Sequence, residues 1–302
     1  MGGHVFYGSA PIERDNIKPT LSRFFRELGR IFPGAVKYFE NVTTLGSTGK
    51  KDVSGDIDLA LDENAFKDLK DWDLDETEIQ EYFSKFQKRA RSASKQQLMK
   101  RAVLTAVAKK VDEEGHNISI DTKSTSNGVL FFQFPQFGPS GEMLDKSVQI
   151  DVNVGNVDWL SFSYYSSSYK GNVKGLHRTQ LMLCLFLIKG YVFSHNYGVK
   201  DKETGKVVAS TPEQAINLLN DLYDINLDQD TLSDYFKLQK YLRSTLDKTT
   251  LQELYRAYLK VLDSTRCDIP EDMENIWLDN QEKWGLTGKF LPPSSKLYPF
   301  RS

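Results

Sequence analysis

The chain has 302 residues, 39% hydrophobic and 26% charged, an ordinary balance for one large or two modest globular domains. Its formal net charge of −2 excludes a global positive field that would draw the chain onto nucleic acid, so any such surface has to be local. The N-terminal residues lack the plan of a signal peptide, two cysteines are too few for a disulfide framework, and the longest apolar run is too short for a bilayer span, so we expect a cytoplasmic protein that does not enter a membrane.

The first half of the chain predicts a mixture of helices and strands. Apolar residues at helical spacing predict a helix over residues 19–32, with Pro19 in its first turn. β-Branched and aromatic residues predict a strand over 36–45. The other elements predicted in this half are strands over 56–62 and 148–154, at least one strand within 117–134, and helices within 76–112.

Helical periodicity dominates the second half. Thr211 has the position of a helix N-cap, and Gln214 has the position that completes a capping box. The fold class is therefore α+β: a mixed sheet flanked by helices in residues 1–160, an α-helical domain over 161–290, and an extended tail over 291–302.

Two carboxylates lie two residues apart on the strand predicted over 56–62. Asp56 and Asp58 share one face of it, about 7 Å apart at their Cα atoms. Like charges this close repel each other unless a cation or proton neutralises them, and Mg²⁺ prefers such hard oxygen ligands together with substrate phosphates. The turn at Gly46 and Ser47 would let the backbone approach a phosphate closely, especially if a helix begins there.

A third carboxylate on a neighbouring strand would complete a two-metal site for an in-line displacement. Asp151 is the preferred candidate, because its strand alternates cleanly and Gln149 and Asn153 keep the same face polar. Asp121 and Asp62 also lie on alternating strands and remain alternatives for this third position.

These motifs form one combination. An apolar residue, Gly and Ser at 45–47 precede Asp-apolar-Asp-apolar at 56–59, and one carboxylate follows on the strand over 148–154. The combination resembles the signature of the DNA-polymerase-β-like nucleotidyltransferases over roughly residues 15–158. The segment GSTGKKDVSGDIDLALD, residues 46–62, also resembles uncharacterised nucleotidyltransferases of tailed bacteriophages, which would place the protein in host cytoplasm.

The resemblance implies a polymerase-β-like core, an NTP substrate and two Mg²⁺ ions, for which Mn²⁺ can substitute. It implies that Asp56 and Asp58 bind both metals, and that Asp151 binds the catalytic metal and helps to deprotonate the acceptor hydroxyl. Gly46 and Ser47 would hold the β- and γ-phosphates, and pyrophosphate would leave.

The resemblance also gives the second half a role. Related enzymes often hold the γ-phosphate with a basic residue on the first helix after the third aspartate, which makes Lys174 and Arg178 candidate nucleotide-binding residues. The helical domain would close the cleft that holds nucleotide and acceptor.

The acceptor stays open at this level. A basic segment over residues 85–110 contains nine lysines and arginines and no acidic residue, which favours RNA, such as a tRNA-like 3′ end. The alternatives are a synthase of cyclic or oligonucleotide signals, an enzyme that nucleotidylates proteins or small molecules, and a non-catalytic nucleic-acid-binding or assembly protein on the same fold.

Overall fold

The computed structural model describes residues 5–89, 93–125, 128–165 and 173–287. The chain divides into two compact units, Met1–Ser161 and Phe162–Ser302. Within the described ranges, every helix is too short or too polar to cross a membrane. The predicted tail over 291–302 lies outside the described residues.

A five-stranded mixed sheet forms the centre of the first unit. Its strands are β2 (Thr43–Thr44), β4 (Ile57–Asp62), β5 (Ser119–Ile120), β6 (Val129–Phe137) and β7 (Met143–Gly155), and a separate pair is formed by β1 (Ile12–Glu13) and β3 (Val53–Ser54). The order across the sheet is β2-β4-β7-β6-β5. Only β4 and β7 run parallel; the other neighbours are antiparallel. The fold is therefore mixed α+β, and the strands predicted over 56–62, 117–134 and 148–154 are confirmed.

Helices cover one face of this sheet. They are α1 (Arg14–Ile31), α2 (Val36–Phe39) and α4 (Lys95–Glu114), and α3 (Glu76–Arg89) packs on α4 in a separate apolar cluster. Helix α5 (Val157–Ser163) lies at the boundary of the unit, and 3₁₀ turns occur at Pro33–Ala35, Glu63–Phe66 and Leu69–Trp72. Phe24 of α1 and Leu104 of α4 share one apolar core with Leu59, Phe132 and Val152 of the sheet. The helices predicted within 76–112 are confirmed. Because side chains alternate along a strand, the opposite face of β4 and β7 is left for polar residues.

The first helix begins earlier than its sequence predicts. It starts at Arg14, so Pro19 lies in its second turn and not in its first. The added residues Asn16 and Ile17 are buried, and Thr20 accepts a hydrogen bond from the backbone N–H of Phe137 at 2.9 Å. Packing against the sheet therefore overrides the preference of proline for a first turn.

The strand predicted over 36–45 is wrong. Val36–Phe39 form a helical turn, and only Thr43–Thr44 are extended. The aromatic side chains that suggested a strand serve a different contact: the Phe39 ring stacks on Phe25, with 5.7 Å between centroids. Residue types that favour strands do so because they suit a half-buried surface, and a short helix supplies one here.

The second unit contains more than helices. Its helices are α6 (Gly175–Leu187), α7 (Pro212–Tyr223), α8 (Gln229–Ser233), α9 (Tyr235–Thr245), α10 (Lys248–Thr265) and α11 (Glu274–Asn280), with a 3₁₀ turn at Glu271–Met273. It also has an antiparallel sheet of three strands, β8 (Tyr191–Ser194), β9 (Gly198–Asp201) and β10 (Val207–Ala209), in the order β10-β9-β8. The α-helical domain predicted over 161–290 thus also contains a small sheet that the sequence did not predict. These strands have three or four residues, too few for a period of two to stand out from the surrounding helical pattern.

The predicted cap of α7 is confirmed in part. The Thr211 side chain accepts a hydrogen bond from the backbone N–H of Gln214 at 3.2 Å. The Gln214 side chain reaches back one residue further than a capping box requires and accepts from the backbone N–H of Ser210 at 2.9 Å.

We expect Phe24→Ala to lower the free energy of unfolding by about 3–5 kcal/mol, because it leaves a cavity in a closed aromatic cluster. The Phe24 ring is fully buried and lies 5.1 Å from the Phe132 ring and 5.6 Å from the Phe134 ring between centroids. Urea denaturation measures the change. Phe236→Ala, at a side chain that is 39% exposed, is the control, and equal losses in both variants would contradict this account of the core.

Candidate metal centre

Three aspartates converge on the polar face of the two parallel strands. Asp58 in β4 and Asp151 in β7 are paired directly across the sheet, and Asp56 comes immediately before β4. One carboxylate oxygen from each lies within 4.8 Å of the other two. Among the described residues, no other three or more acidic, histidine or cysteine side chains come this close together.

Local structure explains the convergence. Neighbouring strands lie about 4.8 Å apart, so two residues in register on one face are held side by side. Ile57 pairs with Ile150 and Leu59 with Val152, and all four side chains lie in the core. The carboxylates must therefore point away from the core, because the alternation of the strands leaves them no other direction.

Burial makes this arrangement electrostatically unfavourable without a counter-charge. Asp56 and Asp151 are each only 8% exposed. Burial raises the pKa of Asp151 to about 7 against the opposing hydrogen bond from Gln149, and the charge of Asp56 adds to the rise. Burial, followed by the charges of Asp56 and Asp151, raises the pKa of Asp58 well above its usual range. A bound cation would remove this repulsion.

The ligand atoms fit a hard divalent cation. All three side chains offer carboxylate oxygens, and the cluster contains no histidine or cysteine. Oxygen ligands of this kind suit Mg²⁺ and Mn²⁺ and do not suit metals that require soft sulfur ligands. Asp56, Asp58 and Asp151 are therefore the residues that could hold the metal.

The Gly46–Ser47 turn is fixed to this cluster through Asp58. The backbone N–H of Leu45 donates to the carbonyl of Asp58 at 2.8 Å, and the backbone N–H of Asp58 donates to the hydroxyl oxygen of Thr48 at 2.9 Å. Gly46 has a φ of +57°, which glycine adopts without strain. Residues 46–50 form turns and not the start of a helix, so no helix dipole assists a phosphate here.

Thr48 is a positioning residue that the sequence did not single out. Its side chain is 3% exposed, and its hydroxyl ties the turn to the strand that carries Asp58. The only signal in the sequence is its place beside Gly46 and Ser47, and its partner becomes visible only when the turn folds back on β4.

The two alternatives for the third carboxylate cap local turns instead. The Asp62 carboxylate accepts from the backbone N–H of Asn64 at 2.8 Å, and that of Asp121 accepts from the backbone N–H of Lys123 at 3.0 Å. Neither joins the cluster of three, which contains Asp151.

The two basic candidates for nucleotide binding make their described contacts within the second unit. The buried Arg178 guanidinium donates to the carbonyls of Leu232 at 2.6 Å and Phe162 at 2.7 Å, and burial lowers its pKa to about 10. The Lys174 ammonium forms an ion pair with Asp268 at 2.9 Å. A phosphate contact by Lys174 or Arg178 stays a prediction.

Part of the basic segment is neutralised by neighbours within the first unit. Lys109 pairs with Glu78 at 2.6 Å and Lys110 with Asp73 at 2.5 Å. A third ion pair joins Lys100 and Glu63 at 3.4 Å, and the Arg101 guanidinium lies 4.0 Å from the centroid of the Phe86 ring. These cations on α4 support the fold locally.

A group of exposed cations of the basic segment lies on α3. Lys85, Lys88 and Arg89 are all exposed, and their spacing of three and four residues places them on adjoining parts of the helix surface. Arg91 lies outside the described residues. Lys95, the first residue of α4, is also exposed, so the candidate nucleic-acid surface is not confined to α3.

Comparison with known proteins assigns no family to the chain: no family model matches it, and no curated protein matches it. What the fold defines on its own is a mixed α+β unit in which three carboxylates converge on two parallel strands, next to a turn that contains glycine and serine.

We expect the metal-free protein to lose stability as the pH rises from about 4 to about 7. The folded-state pKa of Asp151, about 7, lies above its ordinary value of 3.8, so the folded state keeps a proton over this range that the unfolded state releases. Asp58→Asn should flatten this dependence and raise the free energy of unfolding at pH 8, because it removes a second buried carboxylate whose pKa is also raised by burial.

Thermal melting in the presence of a chelator measures this effect across the pH range. Asp112→Asn, at an exposed carboxylate on α4, is the matched control. Adding Mn²⁺ should raise the melting temperature of the wild-type protein more than that of Asp58→Asn. Identical pH profiles for wild type and Asp58→Asn would show that the cluster carries no electrostatic strain.

Proposed function

We propose that the protein is a metal-dependent nucleotidyltransferase on a polymerase-β-like core. It moves a nucleoside monophosphate from an NTP to an acceptor hydroxyl and releases pyrophosphate. The observation that carries this proposal is the convergence of Asp56, Asp58 and Asp151 beside a turn that Asp58 itself anchors. Nucleotidyl transfer requires that the triphosphate and the cation bind next to each other.

The residues divide the chemistry between them. Asp56 and Asp58 hold the cation, and Asp151 helps to hold it and to accept the proton of the acceptor hydroxyl. The backbone at Gly46 and Ser47 binds the β- and γ-phosphates. When bound, the divalent ions supply Lewis-acid stabilisation of the attacking and leaving oxygens. A bond forms between the acceptor oxygen and the α-phosphorus, and the bond from that phosphorus to the bridging oxygen breaks as pyrophosphate leaves.

The first test is nucleotidyl transfer itself. Purified protein with Mg²⁺ or Mn²⁺ is given each α-labelled NTP, alone and mixed, with and without total RNA, and the labelled products are resolved. We expect transfer, and we expect Asp58→Asn to reduce its rate by about 100- to 1,000-fold, since it would weaken binding of the cation that stabilises the reacting phosphate. Asp112→Asn should keep full activity.

The wild-type protein could transfer no more label than Asp58→Asn with every metal, nucleotide and RNA tested. That result would argue against an enzyme. It would favour a nucleic-acid-binding or assembly protein that keeps the fold.

We propose the 3′ end of RNA as the acceptor, on the strength of the exposed cations of α3. Replacing Lys85, Lys88 and Arg89 together with alanine removes up to three phosphate contacts, and we expect transfer to RNA to weaken by about tenfold or more at 150 mM salt. The KM for the NTP should stay unchanged. The salt dependence of RNA binding should also become shallower, by up to about three in the slope of log K against log salt.

The control for this triple variant removes the same charge from the second unit. Lys202, Lys206 and Lys240 are exposed, and their joint replacement with alanine should leave RNA transfer unchanged. Equal losses in both variants would show that net charge, and not the α3 surface, controls RNA use.

A second candidate activity is synthesis of a cyclic or oligonucleotide signal. It is favoured by the ion pairs of Lys100, Lys109 and Lys110, which remove much of the basic segment from any extended nucleic-acid surface. Label in a small product that resists phosphatase, formed without RNA, would support this activity over RNA transfer.

A further inference from the structure

The N-terminal segment, defined as Val5–Arg14, lies along the strand that carries Asp151. Ser9 forms a parallel bridge with Ser147 just before the buried part of β7, and the backbone N–H of Ala10 donates to the carbonyl of Ser147 at 2.8 Å. The segment is therefore attached to β7 through main-chain contacts, upstream of the aspartate.

A buried glutamine connects this segment to Asp151. Gln149 is 2% exposed, and its Oε1 accepts a hydrogen bond from the backbone N–H of Val5 at 3.0 Å. Its Nε2 donates to Oδ1 of Asp151 at 2.8 Å. Val5, Gln149 and Asp151 thus form a chain of two hydrogen bonds that ends in the carboxylate cluster.

The chemistry of these three groups allows only one orientation of the glutamine amide. A backbone N–H can only donate, so it requires the Oε1 end of Gln149. An ionised carboxylate can only accept, so it requires the Nε2 end. The Val5 N–H therefore does more than anchor the segment, because it selects the amide orientation in which Gln149 supports the charged form of Asp151.

The same segment contacts the other half of the cluster. Strand β1 pairs with β3, which leads into Asp56, and the Arg14 guanidinium forms an ion pair with Asp52 at 2.9 Å. Ser54 of β3 in turn donates from its hydroxyl to the carbonyl of Ser47 at 3.4 Å. One short piece of chain thus contacts both loop and strand around the three aspartates.

We infer that Gln149 is a positioning residue for Asp151, and that the N-terminal segment sets its orientation through the Val5 amide. The inference rests on the proposed metal centre. A hydrogen bond to one oxygen limits the rotation of the Asp151 carboxylate before a cation arrives, and hydrogen bonds of this kind to metal ligands commonly tune affinity. Docking of the N-terminal segment and binding of the cation are therefore coupled.

The test compares two glutamines that hold the same segment. Gln133 lies opposite Gln149 in β6 and donates to the carbonyl of Tyr7 at 3.2 Å and to the Ser9 hydroxyl at 3.0 Å. Neither of these contacts reaches an aspartate. Gln149→Met keeps length and volume while removing both hydrogen bonds, and Gln133→Met is its matched control.

Binding of Mn²⁺ alone, without nucleotide, is measured on the full chain by titration. Gln149→Met should weaken the affinity about tenfold, as expected for loss of a hydrogen bond to a ligand, and Gln133→Met should change it less than about twofold. An equal loss of Mn²⁺ affinity in both variants would show that Gln149 affects the metal centre only by stabilising the fold.

A second pair of variants leaves Gln149 intact. Val5→Pro removes the N–H that orients the glutamine, and Val5→Ala retains it. We expect Val5→Pro to weaken Mn²⁺ binding about three- to tenfold and Val5→Ala to bind like wild type. Equal affinity in Val5→Pro and Val5→Ala would overturn the role assigned to the N-terminal segment.

Nucleotidyl transfer is measured in parallel, so that the two proposals fail separately. If Gln149→Met alone weakens Mn²⁺ binding and the wild-type protein transfers no nucleotide, the role of Gln149 is supported and the enzyme is rejected. If the wild-type protein transfers nucleotide and Gln149→Met binds Mn²⁺ with unaltered affinity, the enzyme is supported and the role of Gln149 is rejected. A wild-type protein that does not bind Mn²⁺ would overturn the metal centre and the role of Gln149 together.

Discussion

The parallel pairing of β4 with β7 is the constraint on which the candidate site depends. Its register sets Asp58 beside Asp151, and the same register sends the intervening apolar residues into a core covered by α1 and α4. A slip of one residue in either strand would put a carboxylate into that core and an apolar side chain into the cluster. The packing of the sheet and the position of the carboxylates are thus specified by one set of hydrogen bonds.

The residues around the aspartates hold negatively charged carboxylates in a buried environment, which disfavours the charged form. Burial raises the pKa of Asp58 and of Asp151, and this destabilises the folded protein at neutral pH while no cation is bound. Two neutral groups fix the cluster without neutralising it: Thr48 holds the main chain of Asp58, and Gln149 donates to Asp151. Such an arrangement leaves the negative charge available to an incoming cation.

The sequence predicted the central part of this site because the signals there are local. Asp56 and Asp58 are two residues apart, and the alternation of β7 identifies the face that carries Asp151. The clean alternation of its strand favoured Asp151 over Asp121, but periodicity alone left Asp121 open as an alternative. The choice follows from the order of strands, which places β7 next to β4 and β5 at the far edge of the sheet.

Features that depend on distant partners could not be predicted. The strand predicted over 36–45 failed because Phe39 packs on Phe25 of α1 from a helical turn. The sheet of β8, β9 and β10 was missed because its strands are too short for a pattern. Gln149 was noted only as a polar neighbour, since nothing in the sequence reveals that Val5 lies on its other side.

The contact between Val5 and Gln149 joins residues that are 144 positions apart. A growing chain cannot make it until nearly all of the first unit has left the ribosome. The carboxylate cluster is therefore expected to reach its final form among the last events of folding. Until then, Asp56 and Asp58 lack the strand and the segment that complete the cluster, so the order of synthesis itself delays the appearance of the complete cluster.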